Sequence, residues 1–270
     1  MNLNEIDEFR HLIYSFYAKN RRSFQWRETS DPYEILVSEF MLQQTQTERV
    51  LKKYPLFISA FPSFESLDKA SLREVLLLWQ GLGYNRRAKA LKDVSRVVIE
   101  RGGNLPQNPR ELMELPFIGR STGGAICAFA FGYPSVFVET NIRRVFIHTF
   151  FGPDAIVSDK EILPLVDVTL DRRDPRNWYY ALMDYGVFLK RSTVMNPNLR
   201  SAQYAVQPAF RNSNRELRGK IVKLLLEAET LSADRITAAT GTDCERVYSC
   251  LRALSEDGIV RETSEGFRVV

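Results

Sequence analysis

Two acidic residues of this chain stand in settings where a carboxylate can do chemistry. Glu39 lies in LVSEFMLQQTQ, residues 36–46, among Phe40, Met41 and Leu42 and ahead of a run of amide side chains. A carboxyl group desolvated on such an apolar helix would keep its proton closer to neutral pH than a solvated one. That is the property of a general acid, which helps a poor leaving group depart. Glu139 lies in FVETNIRRV, residues 137–145, at the start of a basic helix. Between the two comes ELPFIGRSTGGAI, residues 114–126, with the short connection Leu115-Pro116-Phe117-Ile118-Gly119-Arg120 between apolar helices. A tight turn of this kind exposes backbone N–H groups, and the helix N-terminus after it adds a positive dipole. Both suit a phosphate and neither reads sequence. Gly119 is expected to permit the turn and Arg120 to add charge. Together these segments suggest two carboxylates held over a surface that grips a nucleic-acid backbone, which is equipment for breaking a glycosidic bond in DNA.

The elements that must position them are almost all helices. Residues 4–19 carry Phe9, Leu12, Ile13, Phe16 and Tyr17 at helical spacing. Asp31-Pro32 opens a second helix, with Pro32 in its first turn, that runs through Glu39. Further helices are expected over 47–60, 71–79, 86–101, 109–115, 122–131, 141–150, 160–170 and 175–189. Breaks fall at Phe61-Pro62, Gly81-Leu82-Gly83, Arg101-Gly102-Gly103 and Gly132-Tyr133-Pro134. The character of the chain changes at Asn196. Residues 196–214 are polar and weakly periodic, and read as a linker or a strap across the first domain, 1–195. Residues 215–270 read as a compact unit of their own. A helix over 215–228 turns Leu217, Ile221, Leu224 and Leu225 inward. Ser232 caps a short helix that Gly241 stops. Asp243 starts a third, and 259–261 and 267–269 could pair as two strands. Three helices and a two-stranded wing form a winged-helix pattern. Its third helix offers Glu245, Arg246 and Arg252 outward, and contact with DNA and packing against protein are both open to it.

Composition is that of an ordinary globular protein of 270 residues, 44% hydrophobic, with a net charge of +4. That charge is compatible with nucleic acid without requiring it. Basic residues cluster beside the same motifs, at Arg86, Arg87, Lys89 and Lys92, at Arg143 and Arg144, and at Lys190 and Arg191. The three cysteines, Cys127, Cys244 and Cys250, show neither CxxC spacing nor an even disulfide framework. The two histidines, His11 and His148, stand far from any cysteine pair, so no metal site is expected. No stretch reaches about 18 apolar residues, as a membrane span would need. The N-terminal MNLNEIDEFR does not resemble a secretory signal, so a cytoplasmic protein is expected, and separately a monomer.

The segments WRETSDPYEILVSEFMLQQTQ, LWQGLGYNRRAKAL, LPFIGRSTGGAICAFAFG, VETNIRRV and ALMDYG occur in this order between about residue 24 and about residue 190. In them the chain resembles the helix-hairpin-helix DNA glycosylases, and within these the adenine glycosylase (MutY-like) branch. The resemblance implies a mainly α fold: a two-lobed helix-hairpin-helix glycosylase core with a cleft for a flipped nucleotide. A small winged-helix-like domain would follow it. It implies that Glu39 protonates the departing base and that Glu139 supports the positively charged sugar, a position where the family has the shorter aspartate. Asn141 matches a polar partner in the same loop, and Arg27 a base-pocket arginine. Gln43, Gln44 and Tyr84 match residues that enter the helix stack when a base is flipped out of duplex DNA. Phe117, Ile118, Gly119 and Arg120, with Arg86 and Arg87, would contact the backbone. The family has glycine where this chain has Phe117. Members that also cleave the strand carry a lysine where this chain has Ser121, so the resemblance implies base removal alone. Many relatives bind a [4Fe–4S] cluster through four cysteines after the ALMDYG region. Here residues 186–215 hold no cysteine, and no such cofactor is expected. Adenine is the first substrate to consider. Thymine or uracil opposite guanine, another damaged purine, and a non-catalytic role in binding DNA structure remain open.

Overall fold

The structure, a computed structural model, describes residues 2–270. Helices make up most of its regular structure. In chain order they are α1 (Leu3–Asn20), α2 (Gln25–Glu28), α3 (Pro32–Leu42), α4 (Thr47–Ala60), α5 (Phe64–Lys69), α6 (Leu72–Trp79), α7 (Arg86–Glu100) and α8 (Pro109–Leu112). Then come α9 (Arg120–Phe131), α10 (Thr140–Phe150), α11 (Asp159–Thr169), α12 (Pro175–Ser192), α13 (Asn214–Glu227), α14 (Ala233–Thr240) and α15 (Cys244–Glu256). A 3₁₀ turn at Pro197–Arg200 precedes α13, and strands β1 (Val260–Thr263) and β2 (Gly266–Val269) end the chain. The chain divides into two compact units. One comprises Met1–Ile35, Pro106–Glu114 and Ile118–Val206, and the other Leu36–Leu105, Leu115–Phe117 and Gln207–Val270.

The first unit is built on α1, α10 and α12. The apolar stripe of α1 buries Phe9, Ile13 and Tyr17. Leu12, expected on the same face, is exposed. Phe9 meets Phe146 and Trp178 edge-on, with ring centroids at 5.5 and 5.8 Å. Such pairings add a little to burial of the rings themselves. The close approach of α12 to the start of α10 depends on Gly186. A Cβ built there would fall 2.4 Å from the Asn141 carbonyl oxygen.

Residues 196–201 fasten to this unit through polar groups. Arg200 donates to the carbonyls of Phe151 and Gly152, and to that of Ile147 at 3.0 Å. Asn198 donates to Thr140 O at 2.9 Å. Tyr204 and Phe210, aromatic residues of the expected linker or strap, are exposed.

The second unit packs α5 and α6 against α7, with Trp79, Phe57, Leu91 and Val94 fully buried. Its C-terminal part follows local signals closely. Ser232 accepts from Arg235 N at the head of α14, Gly241 stops that helix at φ 60°, and Asp243 caps α15. The strands pair antiparallel, with Val260 opposite Val269 and Arg261 opposite Arg268. On β2 the buried Phe267 and Val269 flank the exposed Arg268, the alternation of a one-sided strand, whereas on β1 Val260 is buried and both Arg261 and Glu262 are exposed. The single turn α2 and the short α5 were not among the expected elements. The expected helix over 109–115 ends at Leu112, because the chain there begins to turn into the α8–α9 connection.

Candidate active site and nucleic-acid interface

The connection from α8 to α9 turns at Phe117, whose φ of 61° lies in the left-handed region. Gly119 does not supply that conformation. Its φ is −86° and ψ 177°, and it serves as the N-cap of α9 without any side-chain cap. No capping side chain at 119 therefore closes over the first N–H groups of α9. Gly123, one turn on, lets α9 approach α8: a Cβ there would lie 3.5 Å from Pro109 O and 3.6 Å from Leu112 Cβ. Arg120 is exposed, whereas Ile118 is buried, so an outward side chain at 118 is ruled out and only its backbone could meet a phosphate. The Phe117 ring is 55% exposed, so its left-handed backbone is not compensated by burial. Phe117→Val, which adds a β-branch at this φ, is expected to lower stability by about 1 kcal/mol. Phe117→Gly should equal or exceed the parent protein. Urea denaturation of the two variants checks the order, and a Val variant as stable as the parent would contradict the strained turn.

Glu139 is the N-cap of α10. Its Oε1 accepts from Asn141 N at 2.7 Å and from Ile142 N at 2.8 Å. The other oxygen, Oε2, lies 3.3 Å from Asn141 Nδ2. The Asn141 amide is oriented in turn by Arg144. The Arg144 guanidinium donates to Asn141 Oδ1 at 2.7 Å, to Gly186 O at 2.8 Å and to Asn196 Oδ1 at 3.0 Å. Part of the residue reaches solvent, yet burial of the carboxylate raises its pKa. The two backbone N–H groups, then Arg144 and Arg143, oppose that rise. Burial also lowers the pKa of Arg144. Arg143 is engaged bidentately by Asp159, with both N–O distances at 2.7 Å. The result is a carboxylate with fixed direction in a partly dehydrated setting, suited to opposing a positive charge that develops beside it.

In the second unit, Glu39 stands half-buried on the last full turn of α3. The chain leaving this helix passes through Gln44 at φ 54°, and the loop before α7 passes through Tyr84 at φ 49°. Gln44 is exposed, Gln43 and Tyr84 are half-buried, and Arg86 is exposed. Gln207 reaches Gln44 and Tyr84: its Nε2 donates to Gln44 Oε1 at 3.2 Å and to the Tyr84 hydroxyl. Arg215 donates to the same hydroxyl at 2.8 Å.

Arg87 corrects an expectation. It is not on a phosphate-facing surface but only 4% exposed, its guanidinium turned inward to backbone carbonyls. Its place was legible in the spacing, because Arg87 is four residues before Leu91 and seven before Val94, on the buried stripe of α7.

Arg27 is also buried, on α2. It makes a two-point contact with Asp184, at 2.9 Å to each carboxylate oxygen, and its guanidinium lies 4.5 Å from the Tyr180 ring centroid. Arg22 donates to the same carboxylate at 2.6 Å. Asp184, the acid of ALMDYG, was not singled out from sequence. A lone acid within an otherwise apolar helical motif was the available signal. Ser121 sits half-buried on the first turn of α9.

The thiols are scattered: Cys127 is buried and donates to Gln107 O, Cys250 is buried, and Cys244 is exposed. Among the described residues, no helix is long and apolar enough to cross a membrane.

Residues 37–172, half of the chain, match the family of HhH-GPD superfamily base excision DNA repair proteins. A human adenine DNA glycosylase is 33% identical over 195 residues, which are 67% of this chain and 36% of that protein. The chain thus spans little more than a third of that relative, and it spans about half of two Buchnera aphidicola adenine DNA glycosylases, at 50% and 55%. A thymine/uracil-DNA glycosylase of Methanothermobacter thermautotrophicus is 32% identical over 182 residues, 66% of this chain and 82% of the relative. The solved structure of a thermostable thymine-DNA glycosylase superposes with a TM-score of 0.61 at 30% identity, over 68% of this chain and 86% of the other. On the family match and on this identity across most of a relative's length, the chain belongs to the HhH-GPD superfamily of base excision DNA repair proteins.

Proposed function

We propose that this chain is a monofunctional DNA N-glycosylase that hydrolyses the bond between a mispaired or damaged base and its deoxyribose, adenine being the first substrate to test. The observation that carries this reading is the Glu139 carboxylate, held by two backbone N–H groups and an oriented amide in a chain of this family. In the reaction, Glu39 gives a proton to a ring nitrogen of the base, and the C1′–N bond breaks with its electron pair leaving on the neutral base. The ionised Glu139 balances the charge on the sugar. Water then adds to C1′ and passes a proton to the Glu39 carboxylate, which restores the acid. Gln43, Gln44 and Tyr84 fill the space left when the base swings out. The backbone after Phe117 and the exposed Arg120 and Arg86 hold phosphates, while Arg27, tied to Asp184, shapes the base pocket. The protein acts as a monomer on duplex DNA, and no iron–sulfur cluster is expected, because residues 186–215 hold no cysteine.

Domain boundaries at 195 and 214 go with this reading, and 215–270 forms a winged-helix-like module. The sequence α13–α14–α15–β1–β2, with its antiparallel hairpin, supports that.

A second reading, removal of thymine or uracil opposite guanine, has support from the names of the two glycosylases matched over most of their length. Duplexes carrying adenine opposite guanine or 8-oxoguanine, thymine or uracil opposite guanine, and alkylated purines decide between them, with hot alkali to cut at abasic sites. Cleavage of the adenine duplexes is expected. Cleavage confined to thymine or uracil selects the second reading, and binding without cleavage of any duplex leaves a DNA-structure binder.

Ser121 has no amine, so no Schiff base with the opened sugar forms there. Borohydride is expected to trap no protein–DNA adduct above background. Efficient trapping would assign the step to another amine, Lys190 being the first to test.

A further inference from the structure

The buried Arg87 is oriented toward two loops at once. Nη1 donates to Phe40 O at 2.7 Å, Met41 O at 3.0 Å and Gln43 O at 2.6 Å, all at the end of α3. Nη2 donates to Thr45 Oγ1 at 2.9 Å in the same loop, and to Leu82 O and Gly83 O at 3.0 Å in the loop before α7. Thr45 Oγ1 continues the link by donating to Leu82 O at 3.2 Å. The guanidinium also lies 5.5 Å from the ring centroids of Trp79 and Tyr84. Each loop so gripped contains one non-glycine residue in the left-handed region, Gln44 in the first and Tyr84 in the second. Neither glutamine nor tyrosine favours that conformation. A backbone held in a sparsely populated region persists only where its surroundings over-determine it. Gln207 and Arg215 hold the Gln44 and Tyr84 side chains, and the group that grips both loop backbones is a buried cation, Arg87, whose pKa burial lowers to about 10. The groups that receive its hydrogen bonds are carbonyl dipoles and one hydroxyl. A cation desolvated at that cost for a purely structural bridge is an expensive choice over an apolar residue of similar volume.

We propose that Arg87 is a positioning residue for base flipping: it locks the two loops so that Gln44 and Tyr84 are presented to the duplex already in their inserting conformations. The proposal rests on the reading of Gln44 and Tyr84 as the residues that enter the stack. It assigns Arg87 no contact with DNA. Lysine cannot replace it, because one ammonium with three donors cannot serve acceptors spread over both loops. The benefit is entropic: loops preset before binding need not be ordered at the moment of insertion.

The test uses the full chain and a duplex with a mispaired adenine flanked by 2-aminopurine, whose fluorescence rises when its neighbour unstacks. Stopped-flow traces report flipping, and equilibrium titration reports duplex affinity. Arg87→Lys is expected to bind the duplex within about threefold of the parent protein and to flip at least about tenfold more slowly. Thr45→Val, which removes the link between the loops and keeps the volume, is expected to slow flipping about threefold, and it carries the test if Arg87→Lys fails to fold. In the Tyr84→Ala and Gln44→Ala backgrounds either change should have little further effect, because the residues it positions are gone. Unchanged flipping in folded Arg87→Lys and Thr45→Val overturns the proposal. So does a slowing that is equally large in the Tyr84→Ala and Gln44→Ala backgrounds, since that marks a general structural role. If Tyr84→Ala and Gln44→Ala themselves flip at the parent rate, the insertion reading fails, and the proposal falls with it for that separate and recognisable reason.

Discussion

Glu139→Gln is expected to slow base excision by about two to three orders of magnitude in single-turnover rate, while leaving duplex binding intact. The amide oxygen can still accept from Asn141 N and Ile142 N, so the cap of α10 survives. What is lost is the negative charge beside the sugar, and removal of one preorganised electrostatic partner typically costs about 10²–10³ in rate. Glu39→Gln should lose a further general-acid contribution of about 10²–10⁴ where the leaving base is not already protonated. The pH dependence follows from the direction of the Glu139 shift. Burial raises its pKa in the folded protein against the opposing N–H groups and arginines. Activity that needs the anion should therefore decline on acidification at a higher pH than an ordinary glutamate would give. Stability runs the other way. A carboxyl whose folded pKa is raised favours the fold fully below its unfolded pKa, and that contribution is lost as pH rises through the folded value. At neutral pH the Gln variant is thus expected to melt at or above the parent protein. Parent-like excision rates in both Gln variants would remove the two acids from the mechanism.

The parts of the molecule that were readable in sequence are those decided locally. Ser232, Gly241 and Asp243 announce the ends of α14 and α15, and they stand where such residues must. The apolar spacing of α7 and α10 fixes which side chains go inward. Asp184 and Arg87 were not readable as a counter-ion and a clamp, because their partners lie 157 and up to 47 residues away along the chain. Spacing to Leu91 and Val94 puts Arg87 on the apolar stripe of α7, but it does not say which carbonyls the guanidinium meets. The hairpin shows the same limit at a smaller scale. Glycine at 119 suggests the turn, yet the left-handed residue is Phe117, two positions earlier. Residues 202–212 lie within the expected linker or strap, for which composition singles out no anchoring residue. The turn before them is held by Arg200 and Asn198 through backbone carbonyls, which no composition pattern marks.

Removing residues 207–270 is expected to lower the melting temperature by about 5–10 °C and to leave the salt dependence of duplex binding nearly unchanged. The C-terminal helices belong to the same compact unit as residues 36–105. Arg73 on α6 donates to Leu225 O at 2.9 Å and to Leu226 O, in the last turn of α13, where a cation also meets the negative end of the helix dipole. The turn at Gly258 runs so close to Lys89 of α7 that a Cβ there would lie 2.7 Å from Lys89 Cε. Truncation exposes these faces and strands the Arg73 donors. A loss of about 2–3 kcal/mol corresponds to that temperature shift in a chain of this size. DNA binding by α15 would need its arginines free. Arg246 is occupied, with Nε donating to Asn214 Oδ1 at 2.8 Å and Nη2 to Asn212 O at 2.6 Å. Around Arg252, the exposed face of α15 carries Glu245, Tyr248 and Ser249, and so has little net positive charge. Every phosphate that truncation leaves without its cation should reduce the log–log salt slope by roughly one unit. A slope lowered by about two units with an unchanged melting temperature would assign this module to DNA and not to packing. Arg73→Ala separates the two accounts without truncation, since it should lower the melting temperature of the full chain and leave the slope where it was.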